Sequence, residues 1–189
     1  MSTQAMSHVP AKQNNLLLIK GVVEILWGVA AIIMALTDPV PIIISFGLVN
    51  IVASALTFAY AGINKHLEIS HQWMFIEGMV ELAAGVLFIF LIHDLHSYVQ
   101  WMGYGIVFIV FLQFIYGYFM LTTNRVNVAN MISRFVNCLV GTMVALILIS
   151  NLWGLTGSLI LIGGFSVVFG ILNSHFALKF GNIIMGKTE

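Results

Sequence analysis

The stretch IKGVVEILWGV, from Ile19 to Val29, decides how this chain is read. It is apolar enough for a helix in lipid, yet Lys20 and Glu24 stand in it about one helical turn apart. A close copy, IEGMVELAAGV, returns from Ile76 to Val86, with Glu77 in the place of the lysine and Glu81 in the place of Glu24. Charge inside an apolar helix is costly, so the same cost recurring at the same spacing points to a structural unit used more than once.

The composition around this stretch is that of a membrane protein. Of 189 residues, 60% are hydrophobic and only 7% are charged, against about 25% charged in an average soluble domain. A hydrocarbon layer about 30 Å thick needs about 20 mostly apolar helical residues to cross it. Such runs occur at Leu16–Leu36, Pro41–Ala61, Gln72–Ile92, Tyr98–Leu121, Met131–Ile149 and Gly157–Lys179. They are continuous rather than alternating, which predicts helices rather than barrel strands. The expected fold is an all-α polytopic membrane protein with six transmembrane helices in residues 16–180. Residues 1–15 read as a disordered cytoplasmic tail and 181–189 as a second short one. The polar opening segment lacks the basic and apolar regions of a cleavable signal, so the first helix is expected to stay as an anchor.

The seven basic residues set the expected orientation. Lys12, Lys20, Lys65, Arg125, Arg134, Lys179 and Lys187 all fall on one side of the six-span topology. The opposite loops, TDPVP, HDLHS and NLWGLTG, carry Asp38 and Asp94 and contain neither lysine nor arginine. By the positive-inside rule both termini are expected in the cytoplasm.

Aligning Gly21, Glu24 and Gly28 with Gly78, Glu81 and Gly85 gives a shift of 57 residues. A shift of 117 takes Gly47 to Gly164 and lays SFGLVNIV over IGGFSVVF, so the last third reads as a third, more diverged copy. The units are then helical hairpins at about 16–62, 72–121 and 131–180. Each contains two spans, so all three share one orientation and predict a pseudo-threefold bundle. The pairs Gly21/Gly28, Gly78/Gly85 and Gly163/Gly170 are each seven residues apart, which puts each pair on one helix face that admits a close neighbour.

The segments EGMVELAAGVL from Glu77, LIGGFSVVFGIL from Leu161 and GVVEILWGVAAIIMALTDP from Gly21, with its glycine spacing followed by Pro39, resemble the HdeD-type acid-resistance membrane proteins. The resemblance spans nearly everything from Leu16 to Phe180. It implies helical-hairpin repeats, a bacterial inner-membrane location and an association with acid stress, and it brings no catalytic signature or cofactor.

Under the repeat alignment Lys20, Glu77 and Asn137 share one position, and Glu24, Glu81 and Gly141 share the next, one turn deeper. Arg134 lies one turn before Asn137. These residues are expected to form an intramembrane polar network. Lys20 can pair with Glu24 at i,i+4 or with Glu77 across the repeat interface, and Arg134 with Glu77 or Glu81. The bland reading is an ion-pair network that fixes the hairpins; the sharper one makes Glu24 and Glu81 proton-responsive, with Glu81, near mid-membrane, as the leading group. Asn50, Gln113, Asn137 and Asn173 are expected to add hydrogen bonds between helices.

On the opposite side, His93, Asp94 and His96 form a short loop cluster in which histidine could sense external acid. Two histidines and one carboxylate without a further ligand do not make a metal site. Cys138 is expected to pack, His175 to serve as a hydrogen-bonded packing residue, and Trp27, Trp73, Trp101 and Trp153 to pack or anchor at the interfaces.

No H-E-x-x-H, Walker loop or G-x-S-x-G occurs, and the chain reads as no enzyme and as cofactor-free. Seven basic and seven acidic residues balance, which argues against nucleic acid as a partner. The bilayer is the expected partner, with association into homo-oligomers left open. The function expected is that of a non-enzymatic stress protein in the inner membrane, contributing to acid resistance through protonation of its carboxylates. A small transporter or channel for protons, ions or a small solute is the alternative.

Overall fold

The chain is all-helical. The computed structural model describes the backbone of residues 15–64, 68–122 and 128–184. Side chains are described over the same stretches except at 68–71, 113, 116–122, 128–134, 137 and 175–184. The six helices are α1 (Asn15–Leu36), α2 (Ile42–Ile63), α3 (Glu68–Phe90), α4 (Leu95–Thr122), α5 (Val128–Ile149) and α6 (Gly154–Ile184). Each contains most of one apolar run, and the starts of α3 to α6 run a few residues beyond it. Among the described residues, five of the six are long and apolar enough to cross a membrane. The fifth helix, α5, has the same 22-residue length as α1 and α2, and its described apolar part covers Cys138–Ile149.

The turns carry the expected chemistry. Between α1 and α2 the Asp38 carboxylate accepts from the Val40 N–H at 3.2 Å, ahead of Pro41 at the start of α2. Between α5 and α6 the chain reverses through Asn151 and Gly154, both with positive φ, a conformation that asparagine tolerates and glycine prefers.

Three helix pairs pack most extensively, namely α1 with α6, α2 with α3 and α4 with α5. The second helix of each hairpin thus lies on the first helix of the next, and α6 on α1 closes a ring. All three pairs are antiparallel, because contacts early in one helix meet contacts late in its partner. Gly28 meets Gly163 and Gly21 meets Gly170, so closely that a Cβ on Gly28 would lie 2.6 Å from the Gly163 carbonyl oxygen. Gly85 meets Gly47, and the Ser54 hydroxyl donates to the Gly78 carbonyl at 2.9 Å. Gly103 lies against Ala145, and Cys138 lies beside the Val110 carbonyl. The four glycines Gly21, Gly28, Gly163 and Gly170 are therefore contact surface between backbones, as are Gly47 and Gly85, while Gly78 faces the Phe58 ring.

In each pair the close contacts stand seven residues apart along both helices. They fall at Gly28, Gly85 and Ala145 on the odd helices and at Gly47, Gly103 and Gly163 on the even ones. The sequence alignment paired Gly47 with Gly164; the glycines that approach a facing backbone are Gly47, against Gly85, and Gly163, against Gly28. Gly163 is the glycine pressed against α1, whereas a Cβ on Gly164 would meet nothing within 4 Å.

The apolar core fills the half of the bundle opposite the termini. Trp27, Ala31 and Ala35 of α1 pack there with Ile42 and Ile43 of α2 and Tyr98, Val99 and Met102 of α4, together with Leu148 and Leu159. Phe46 sits among Trp27, Phe88 and Tyr98, with ring centroids 4.9, 4.9 and 5.8 Å away, in tilted or edge-on geometries that aromatic rings favour. Trp27 is thus a core residue whose indole donates to Ser45 Oγ at 3.1 Å, while Trp101 and Trp153 face outward near the starts of α4 and α6. Trp73 is half-buried.

Candidate functional site

The other half of the bundle, on the side of the termini, is polar inside. Lys20 is 2% exposed, among the most deeply buried side chains described. A buried ammonium needs acceptors for its three protons, and α2 and α3 supply them. Lys20 Nζ donates to Glu77 Oε1 at 2.6 Å and to Thr57 Oγ1 at 3.1 Å, and it forms a second ion pair with Glu81. Of the two partners open to Lys20 from sequence, the structure takes the one across the repeat interface. Glu24, at i,i+4, forms no ion pair among the described residues.

Thr57 ties the cluster together. Its hydroxyl accepts from Lys20 and has one proton to give, with two acceptors in reach: Glu81 Oε2 at 2.8 Å and the Ala53 carbonyl at 2.9 Å. The carboxylate is the stronger acceptor while it is ionised. The Ala53 carbonyl offers the proton a second place if it is not.

Glu24 is held from the other side. Its Oε2 accepts from Asn173 Nδ2 at 2.8 Å, a bond that joins α1 to α6 across the seam closing the ring. Thr57 of α2 bonds Glu81 of α3, as Asn173 of α6 bonds Glu24 of α1. Each acid is therefore met by a neutral hydrogen-bond donor from the neighbouring even helix. Only Glu81 also receives the lysine.

The structure thus brings together Lys20, Glu24, Glu77 and Glu81 of the expected network, and adds Thr57, which sequence reading had passed over. The side chains of Arg134 and Asn137 lie outside the described residues, as do those of Gln113 and His175. Asn173 bonds between helices as expected. Asn50 instead donates to the Phe46 carbonyl on its own helix, at 2.9 Å.

His93, Asp94 and His96 are exposed in the turn between α3 and α4. Asp94 there is a helix cap whose Oδ1 accepts from the Ser97 N–H at 2.8 Å, satisfying one of the open donors at the start of α4. Hydrogen bonds from the Ser97 side chain and then its backbone N–H hold the Asp94 carboxyl below its ordinary range. Among the described residues no three histidine, cysteine or acidic side chains stand close enough to share a metal ion.

No protein-family model matches this sequence, and no curated protein and no solved structure matches it.

Proposed function

We propose that this chain is a non-enzymatic protein of the bacterial inner membrane, with both termini in the cytoplasm, whose buried carboxylates make its helical bundle responsive to acid. The observation that carries this reading is the cluster itself, in which two carboxylates, Glu77 and Glu81, share one buried lysine inside membrane-spanning helices and a third, Glu24, is held by Asn173. An intramembrane acid costs about 2.5–3.5 kcal/mol on insertion scales when charged, so each proton taken up changes the balance that holds the helices. The HdeD-type resemblance supports a role in acid stress, and the recurrent spacing of the close contacts supports three copies of one hairpin.

The aromatic packing of the far half favours this reading over an open pore. Trp27, Phe46, Phe88 and Tyr98 are packed against one another in that half. The polar cluster lies in the half of the bundle on the side of the termini, with the Glu77 side chain 32% exposed, which suits a group that exchanges protons with one compartment.

Replacing both Glu24 and Glu81 with glutamine fixes the neutral state at nearly constant volume. The double variant is expected to insert normally, to lose the pH dependence of tryptophan fluorescence between neutral and mildly acidic buffer, and to survive acid challenge no better than cells lacking the protein. If it tracks the parent in both assays, acid response through these carboxylates is wrong.

The orientation has its own test. In a Cys138→Ser background, a cysteine at Ser97 is expected to react with an impermeant thiol reagent added outside intact cells. One at Thr122 should react only after the membrane is opened. Labelling of both from the same side would overturn the proposed topology.

A further inference from the structure

We infer that Glu24, rather than Glu81, is the proton-binding group of the cluster, and that the Glu24–Asn173 hydrogen bond is the contact that its protonation changes. This rests on the acid-response reading above and assigns it to one side chain. The geometry points away from Glu81 because the lysine is already committed. All three acceptors of Lys20, namely Thr57, Glu77 and Glu81, lie on α2 and α3. Glu24 keeps one neutral donor, the Asn173 amide.

Among the described residues, the groups around Glu24 leave it the least compensated of the three acids. On its own helix Lys20, one turn away, forms no ion pair with it, and is committed to Glu77 and Glu81 of α3. From α2 the nearby polar group is Thr57, which is engaged by Lys20 and Glu81. From α6 come Asn173 and the Ser174 hydroxyl, which sits against Gly21. The side chains of His175 and Lys179, further along α6, are outside the described residues. A carboxylate out of water with no paired cation favours its neutral form more than one held by an ammonium.

The consequence is mechanical and local. With Glu24 ionised, Asn173 donates to a charged acceptor; with Glu24 neutral it donates to a carbonyl oxygen, a bond about half as strong. The change falls on the seam between the first and last hairpins, where Gly21 with Gly170 and Gly28 with Gly163 hold α1 and α6 together. Acid would thus loosen the ring at its closure and leave the Lys20 cluster intact.

Infrared difference spectroscopy of the full chain in lipid nanodiscs, between neutral and mildly acidic pH, reads this directly. A buried protonated carboxyl gives a C=O stretch above that of the water-exposed Asp38 and Asp94. One such band is expected in the parent, abolished in Glu24→Gln, retained in Glu81→Gln and shifted in Asn173→Leu, which keeps the acid and removes its donor. A band that survives in Glu24→Gln, disappears in Glu81→Gln or stays unmoved in Asn173→Leu overturns the assignment to Glu24 while leaving the acid-response reading standing. A parent with no such band overturns both.

Discussion

Lys20→Met is expected to destabilise the bundle by about 3–5 kcal/mol, the range found when one partner of a buried ion pair is removed and the other is left uncompensated. Here one substitution strands two carboxylates, Glu77 and Glu81, and takes away a donor to Thr57. Methionine nearly matches the length of the lysine stem, so the loss reports charge and hydrogen bonding more than volume. Thermal unfolding in detergent, followed by loss of the monodisperse peak in size-exclusion chromatography, measures it. Adding Glu77→Gln and Glu81→Gln to Lys20→Met should recover most of the lost stability, because neutral amides no longer need the cation. A lysine variant that melts with the parent, or a triple variant no better than the single one, would show that the cluster is not held by its ion pairs.

The fold was legible because its signals are local and strong. Six long apolar runs have one solution in lipid, and the glycine spacing from Gly21 and from Gly78 marked helix faces of which Gly21, Gly28 and Gly85 meet a facing backbone. The even helices were harder. The doublet Gly163–Gly164 offers two alignments one residue apart, and composition cannot choose between them. Only the approach of two backbones distinguishes Gly163, which faces Gly28, from Gly164, which faces open space. That single-residue offset also hid Thr57. Counted from Gly47, Gly103 and Gly163, Thr57 falls with Gln113 and Asn173, three polar residues in apolar helices, and would have stood out as a polar column. In the offset alignment it fell with Ser174 and looked incidental.

The partner of Lys20 could not be read from spacing. Glu24 at i,i+4 and the acids of the next hairpin are both within reach of a lysine side chain, and helical propensity is silent between them. Tertiary placement decides it, because α2 brings Thr57 up beside α3 and makes a three-acceptor cradle on that side only. The cluster is therefore asymmetric within a ring of similar hairpins. The same column holds lysine in the first hairpin, glutamate in the second and Asn137 in the third. A ring of three identical charges at that depth would repel itself, whereas one cation beside an acid can be satisfied.

The adjacent glycines of α6 give the sharpest test of the packing, since Gly163→Ala and Gly164→Ala are expected to act with opposite signs. A Cβ on Gly163 would stand 2.8 Å from the Gly28 carbonyl oxygen and 2.8 Å from Ile32 Cγ1. The oxygen belongs to the facing backbone, so no rotamer change relieves it and the helices must part. Overpacking of this kind costs about 1–3 kcal/mol, and more where backbone opposes backbone. Parting α1 from α6 also pulls at the Glu24–Asn173 bond further along the same seam. At Gly164 the new methyl meets nothing within 4 Å, and exchanging glycine for alanine inside a helix gains up to about 1 kcal/mol from backbone entropy. Gly163→Ala should therefore lower the melting temperature in detergent, Gly163→Leu should abolish the folded peak, and Gly164→Ala should leave the melting temperature unchanged or raise it. If the two alanine variants shift it equally, α6 does not present Gly163 to α1, and the ring closes through some other face.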